Sequence, residues 1–339
     1  MKAAVLKGPG NLKIENVPDP RPGNGEVLVR MKFCGICGSD LHTYRNPLVP
    51  SGCIMGHEWT GEVAELGKGV SKWSVGDRVW PGGNNKFPEY SWKPEFGWDP
   101  KARIQDDPVK EMGGYGEYAV YYRDALALIP EEVSDIEACM ADQAATALGA
   151  IHASRLQIGD MALIIGAGPI GLWSLRCAQL AGARAIAVAE LIQGRAHRAQ
   201  KMGADLVVDP RHSDVRETLT DFFGGVGPDV VIDCAGTESS LHLAIEVLKR
   251  DGIIALVGLS NKPLTIDTWN MYVKGVELRS VLHLDFPGGM DLIQRKKVDC
   301  GDFLTEIIPL DRIQEAFEKL LHPDDEVKII VRHSTNASS

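Results

Sequence analysis

Residues 161–175 read MALIIGAGPIGLWSL. Five apolar residues, Met161 to Ile165, lead straight into Gly166-Ala167-Gly168-Pro169-Ile170-Gly171, and helix-forming residues follow. This is G-x-G-x-x-G at a strand-to-helix junction. Gly166 suits a tight turn, Gly168 lets the backbone approach a pyrophosphate, and Gly171 allows close helix–strand packing. The helix that opens at Pro169 and Ile170 offers unpaired N–H groups and a positive dipole end to that anion. A second apolar run, AIAVA at 185–189, ends in Glu190, nineteen residues after Gly171. A carboxylate there accepts a hydrogen bond from a ribose 2′-hydroxyl and repels a 2′-phosphate, so NAD is expected over NADP. Arg195, a few residues on, reads either as a neighbour of the adenosine ribose, which would soften that preference, or as a solvated helix residue.

The same alternation runs downstream. Apolar strands are expected at 206–208, 229–233 and 253–257, and helices at about 170–181, 194–202, 214–223 and 239–249. Strand–helix alternation of this kind predicts a doubly wound parallel sheet covered on both faces, with right-handed crossovers. Upstream, residues 134–154 are Ala-rich and helical, with Ser134 as N-cap. Residues 1–80 read instead as short antiparallel strands (AAVL, LKIENV, GEVLVRMKF, GEVAELG, DRVW), with a turn at Ser74–Asp77. Residues 81–112 carry five prolines and two tryptophans without periodicity, and read as an ordered lobe packed on the domain body. Residues 275–332 mix strands, VELRSVL and VKIIV, with helices at about 288–297 and 311–321. The chain of 339 residues is thus an α/β protein of two domains.

Net charge is −10 and the basic residues are dispersed, which disfavours nucleic acid and anionic membranes as partners. The most apolar stretch, 161–182, is interrupted by glycines, Pro169 and Arg176 and is not a membrane span. MKAAVLKGPG reads as an edge strand and turn rather than a signal peptide. Seven cysteines, three of them between 34 and 53, fit a cytoplasmic metalloprotein better than a disulfide scaffold.

That cluster lies in residues 34–58, CGICGSDLHTYRNPLVPSGCIMGHE, which hold Cys34, Cys37, His42, Cys53, His57 and Glu58. Thiolate and imidazole are preferred zinc ligands. One reading is a closed structural knuckle of Cys34, Cys37, Cys53 and His57. The other is a catalytic site with three ligands and one open position. Glu58, next to His57, and the dinucleotide motif in the same chain favour the catalytic reading, because a nicotinamide needs a Lewis or general acid near its hydride.

GICGSDLH, GHEWTGEV, GDRV and GAGPIG together resemble the zinc-dependent medium-chain alcohol dehydrogenase superfamily, over nearly the whole chain. The resemblance implies a GroES-like antiparallel β catalytic domain, 1–148 and 275–339, and a Rossmann NAD-binding domain, 149–274. It implies a catalytic zinc on Cys37, His57 and Asp142, with Cys139 the weaker candidate for the third place. Asp142 matches a branch with Thr four residues later, here Thr146. Glu58 matches a glutamate beside the metal that sometimes coordinates it. Ser39 matches a proton-relaying hydroxyl, His42 the relay's outer end, and Gly258 a loop whose backbone touches the nicotinamide. Cys34 matches a cysteine that binds no metal, while Cys53 and Cys234 read as small buried thiols. Residues 81–112 hold no cysteine, so the four-cysteine structural zinc of many members is not expected.

The resulting expectation is hydride transfer between NAD and a secondary alcohol, polyol or sugar, by a homodimer or homotetramer with one zinc per chain. His42, Tyr44, Trp59, Trp80 and Trp92 are candidates for the substrate pocket wall, and Arg45 for an acidic substrate. The alternatives are a zinc-free enone or quinone reductase of the same fold, and a non-enzymatic nucleotide-binding protein with a Cys3His zinc.

Overall fold

The computed structural model describes residues 1–46, 49, 51–82, 112–260, 262–281 and 284–334. Most of the aromatic lobe, Trp92 included, lies outside them. The chain divides into two compact units, Met1–Ala141 with Leu304–His322 and Lys328–Ser339, and Asp142–Phe303 with Pro323–Val327.

The first unit is mainly antiparallel. β1 (Lys2–Gly8) and β2 (Asn11–Asn16) form a hairpin. β3 (Glu26–Gly35) is the hub of a second sheet. It pairs antiparallel with β4 (Glu58–Leu66) and β6 (Tyr118–Tyr122), while β5 (Arg78–Trp80) and β7 (Ala127–Leu128) extend the sheet. Val27, Val29 and Met31 are buried while Leu28, Arg30 and Lys32 are partly exposed, the period-two pattern of a strand with one face in a core. Gly35 at the end of β3 pairs with Glu58 at the start of β4. That register brings the segment after β3, with Cys37, beside the segment before β4, with His57.

The second unit holds β8 (Met161–Ile165), β9 (Ala185–Ala189), β10 (Leu206–Val208), β11 (Val230–Asp233), β12 (Ile253–Leu256) and β13 (Glu277–Ser280). All pair parallel, in the order β10-β9-β8-β11-β12-β13. The order reverses between β8 and β11, the switch point where such sheets bind ligands beyond their carboxyl ends. β8 is buried along its whole length, as the apolar run predicts for a central parallel strand.

β14 (Leu304–Pro309) and β15 (Lys328–Arg332) belong to the first unit, where β15 pairs antiparallel with β3. The expected domain edges shift accordingly. Residues 275–303 group with the second unit because β13 adds to the parallel sheet, and residues 142–148 join it within the helix Ala141–Ser154. The helix expected over 134–154 is two helices, Asp135–Ala138 and Ala141–Ser154; Ser134 does cap the first, in a capping box with Glu137. The helices Gly38–Arg45 and Thr268–Lys274 and the strand β14 are among the elements that the sequence does not announce. The first carries few apolar residues at helical spacing, so periodicity does not reveal it. Among the described residues no helix is long and apolar enough to cross a membrane, and all seven cysteines are free.

His333 follows β15 and is 2% exposed. Gly114 O is 2.7 Å from its Nε2, which must therefore be the protonated donor. Burial pushes its pKa down to about 4. The folded state thus binds the proton less readily than the unfolded chain, so stability is full above the ordinary imidazole value and lost as the pH falls toward 4. The expected loss is about 3 kcal/mol between pH 6.5 and 4. His333→Gln, compared with wild type by denaturant titration across that window, should flatten the slope; an unchanged slope would rule His333 out as its source.

Candidate metal centre and dinucleotide loop

Cys37 is the N-cap of the helix Gly38–Arg45. Asp40, at its third position, is 2% exposed. Its Oδ2 accepts from Cys37 N–H at 3.1 Å and from the Tyr115 hydroxyl at 2.7 Å, and its Oδ1 lies 3.6 Å from His57 Nδ1. Burial raises the Asp40 carboxyl, but His57, Tyr115 and the Cys37 N–H together outweigh it and hold the pKa below the usual carboxylate range. Burial also opposes a charged His57, yet Asp40 and then Cys37 raise its pKa well above the ordinary imidazole value. A carboxylate beside the ring is the kind of partner that orients metal-binding histidines.

Glu58 is buried beside them. Its Oε2 is ion-paired with Lys328 Nζ at 2.6 Å, and Lys328 also donates to Ile36 O at 2.8 Å. Glu58 Oε1 is buried with no hydrogen-bond partner. Donor atoms of Cys37, His57 and Glu58 lie within 4.8 Å of one another, and among the described residues no other three His, Cys, Asp or Glu side chains are so arranged. A thiol, an imidazole and a carboxylate with an unused oxygen are a fitting donor set for zinc.

Cys34 and Cys53 are not in this group, so the closed knuckle is not formed. Cys34 Sγ is packed so tightly that a Cβ on Gly114 would come within 2.5 Å of it. Burial raises the Cys34 thiol well above its ordinary value, and raises Cys53 to about 11 and Cys139 to about 12. Cys139 Sγ lies 3.5 Å from the Thr60 hydroxyl and is likewise outside the group. Asp142, in the first turn of the helix Ala141–Ser154, belongs to the second unit. Ser39 and His42 lie one turn apart on the helix after Cys37, both half-buried. Of the expected pocket wall, Tyr44, Trp59 and Trp80 are core instead, at 1%, 0% and 3% exposure. Trp59 stacks on Tyr121 at 4.3 Å, and Tyr44 packs on Phe317 at 5.1 Å. Arg45 is exposed and donates to Leu321 O.

In the second unit, β8 enters a turn at Gly166, whose φ is +94°, and the helix Pro169–Leu180 follows with Gly168 as N-cap. A Cβ on Gly171 would stand 1.7 Å from Gly166 O, so only glycine permits this packing. A Cβ on Gly168 would meet only Arg195 Nη1, at 3.8 Å, leaving that side open to a ligand. Glu190 accepts from Ala167 N–H of the glycine turn through one oxygen and from Ile192 N–H through the other. Arg195 is not a solvated helix residue. Its Nε and Nη2 both donate to Glu326 O, at 2.8 and 2.6 Å. The Thr146 hydroxyl donates back to Asp142 O at 2.9 Å. Gly258 donates its N–H to Asp233 O at 2.9 Å.

Residues 23–131 match the family described as alcohol dehydrogenase GroES-like domain, and residues 169–295 the family described as zinc-binding dehydrogenase. Human sorbitol dehydrogenase is 30% identical, over 93% of this chain and 91% of that one. The chain belongs to the zinc-dependent medium-chain alcohol and polyol dehydrogenases. It is an oxidoreductase that uses zinc and a nicotinamide cofactor, which decides against the zinc-free and non-enzymatic alternatives. Among solved structures, the 2R,3R-butanediol dehydrogenase of Bacillus subtilis superposes with a TM-score of 0.84 at 29% identity, over 98% of this chain and 99% of that one. A zinc-binding dehydrogenase from Sinorhizobium meliloti bound to NADP and an Escherichia coli alcohol dehydrogenase complexed with NADH superpose at 0.82 and 0.84, with 25% and 26% identity. The first pair covers 98% of both chains, the second 98% of this chain and 99% of that one.

Asp40, Tyr115 and Lys328, which surround the donor group, are not disclosed by the sequence. Asp40 sits in GICGSDLH, but its role depends on a helix that periodicity does not show. Lys328 carried a usable signal: a lone lysine in the apolar strand VKIIV must be paired if it is buried.

Proposed function

We propose that this dehydrogenase oxidises a secondary alcohol or polyol with NAD at a single zinc centre. The observation that supports it most is the Cys37, His57 and Glu58 donor group, oriented by Asp40 and Lys328. Cys37 and His57 hold the zinc, and Asp142 is the third ligand, as in the branch the sequence resembles. Glu58 stands beside them, balanced by Lys328. Bound zinc supplies Lewis acidity toward the substrate hydroxyl, and bound nicotinamide the hydride acceptor. Ser39 takes the hydroxyl proton, and His42, one turn further along the helix, passes it outward.

Glu190 supports NAD because its carboxylate lies at the glycine turn, where a 2′-phosphate would meet like charge. Arg195 is committed to Glu326 O through two of its nitrogens, which limits its use as a phosphate partner. Thr146 and Gly258 complete the expected cofactor contacts. Relatives named for sorbitol and butanediol favour a substrate with neighbouring hydroxyls. A structural zinc of the four-cysteine kind is not part of this reading, since residues 81–112 have no cysteine. The enzyme is taken to be a cytoplasmic homodimer or homotetramer, binding neither nucleic acid nor membrane.

A panel of polyols, vicinal diols, sugars and primary alcohols, each with NAD and NADP and followed by nicotinamide absorbance, tests this. The expected outcome is highest kcat/KM on a polyol or diol and at least about tenfold preference for NAD, the scale of one unfavourable charge contact. Preference for NADP would overturn the role given to Glu190.

A further inference from the structure

Asp233 ends β11, beside the switch point, and is 0% exposed. It is a buried carboxylate that the metal centre does not use. Its Oδ1 accepts from Ala235 N–H at 3.0 Å and Gly236 N–H at 3.1 Å, and its Oδ2 from the Ser240 hydroxyl at 2.9 Å. Its carbonyl oxygen accepts from Val257 N–H and Gly258 N–H, both at 2.9 Å. One residue therefore ties down two loops at the carboxyl ends of adjacent strands, its own turn through the side chain and the loop after β12 through the backbone.

The two loops touch glycine to glycine. Gly236 has φ +63°, and a Cβ on it would stand 2.4 Å from Gly258 C. A Cβ on Gly258 would stand 2.2 Å from Gly236 N. Gly258 therefore rests directly on the turn that the Asp233 side chain shapes. On the other side the same turn borders the pyrophosphate loop less tightly: a Cβ on Gly166 would stand 3.4 Å from Ala235 N.

We propose that Asp233 is a positioning residue for the nicotinamide end of the cofactor, acting through the Gly236–Gly258 contact. This rests on reading the Gly258 loop as the one whose backbone touches the nicotinamide. The carboxylate's three partners are neutral donors: Ala235 and Gly236 on a turn with little side-chain mass of its own, and Ser240 in the first turn of the helix Glu238–Val247 that follows. Without the acceptor, the buried Gly236 N–H is left without its partner and the Ala235 N–H is freed, while the Ser240 hydroxyl keeps Thr237 O, and the turn shifts to satisfy Gly236. Gly258 keeps its bond to Asp233 O but loses the fixed Gly236 surface on which it rests, and shifts with the turn. The ADP half of the cofactor, held at Gly166–Gly171 and Glu190, keeps its contacts.

Titration of the zinc-loaded enzyme with NADH and with ADP-ribose separates the two halves. Asp233→Ala is expected to weaken NADH about tenfold and leave ADP-ribose within about twofold. Asp233→Asn keeps the acceptor for Ala235 and Gly236 and should stay within about threefold of wild type for both ligands. If Asp233→Ala does not fold, Ser240→Ala, which removes one of the three donors, should weaken NADH selectively by about threefold. Unchanged NADH affinity in a folded Asp233→Ala or Ser240→Ala variant overturns the proposal. So does equal loss of NADH and ADP-ribose, which marks a general disturbance of the sheet. So does an Asp233→Asn variant as weak as Asp233→Ala. Wild-type enzyme that binds neither ligand would overturn the cofactor reading beneath it.

Discussion

Cys37→Ala is expected to lose the zinc and to lower kcat/KM by about a thousandfold or more. A Lewis acid on the substrate oxygen contributes several kcal/mol, and each 1.36 kcal/mol is a factor of ten in rate. The thiol of Cys37 lies in the donor group with His57 and Glu58, so its removal leaves an imidazole and a carboxylate already ion-paired to Lys328. The Cys37 backbone N–H still donates to Asp40, so the helix N-terminus and the fold are expected to survive. Metal analysis of purified protein and steady-state kinetics check both parts. Cys34→Ala and Cys53→Ala serve as controls. Neither thiol is in the donor group, and both are held protonated by burial, so both variants should keep zinc and most activity. Full zinc occupancy and turnover in Cys37→Ala would sink the ligand assignment. Zinc loss with unfolding in the controls would restore the structural knuckle.

Lys328→Met is expected to destabilise the protein by about 3–5 kcal/mol. Lys328 and Glu58 have side chains 2% and 0% exposed and are 2.6 Å apart. Removing the ammonium leaves a carboxylate in a place that water does not reach, and strips Ile36 O of its donor. Glu58→Gln alone reverses the problem, taking the Glu58 charge away from a buried ammonium that still donates to Ile36 O. The double variant Glu58→Gln/Lys328→Met removes both charges and should regain most of the stability lost by Lys328→Met, since a buried pair contributes less than breaking it costs. Denaturant titration of the three variants measures this. A Lys328→Met protein as stable as wild type would mean that Glu58 is not a buried anion in the fold.

The two halves of the chain were not equally legible. In the Rossmann half the strands β8, β9 and β10 begin and end where the apolar runs do. The inner strands β8 and β9 are buried on both faces, so their runs are unbroken and bounded by turns, and the edge strand β10 keeps an apolar run although it is half-exposed. The glycine roles at 166 and 171 are readable because they are local: Gly166 turns with φ +94°, and Gly171 packs on Gly166 O five residues back. In the first unit the strands are half-exposed and broken by register shifts in the β3–β4 pair. Trp59 and Trp80, beside a metal motif, read as pocket wall, yet both are core. Side-chain direction on a strand is decided by which face the sheet buries, and a shift of one residue reverses it.

Sequence alone determined the dinucleotide fingerprint, the spacing of Cys37 and His57, the lack of cysteine in residues 81–112, and the family. Spacing also left Cys34 and Cys53 as rival ligands, because it counts residues without saying where their sulfurs point. The tertiary structure groups Cys37 and His57 with Glu58 and leaves Cys34 and Cys53 outside, and it decides what surrounds that group. Asp40 reaches His57 only because β3 and β4 pair with Gly35 opposite Glu58. Lys328 meets Glu58 across 270 residues of chain because β15 lies against β3. Gly258 leans on Gly236 because β11 and β12 are neighbours in the sheet. Such contacts follow from the register between distant strands, which depends on burial summed over the whole sheet and is written in no local stretch of sequence.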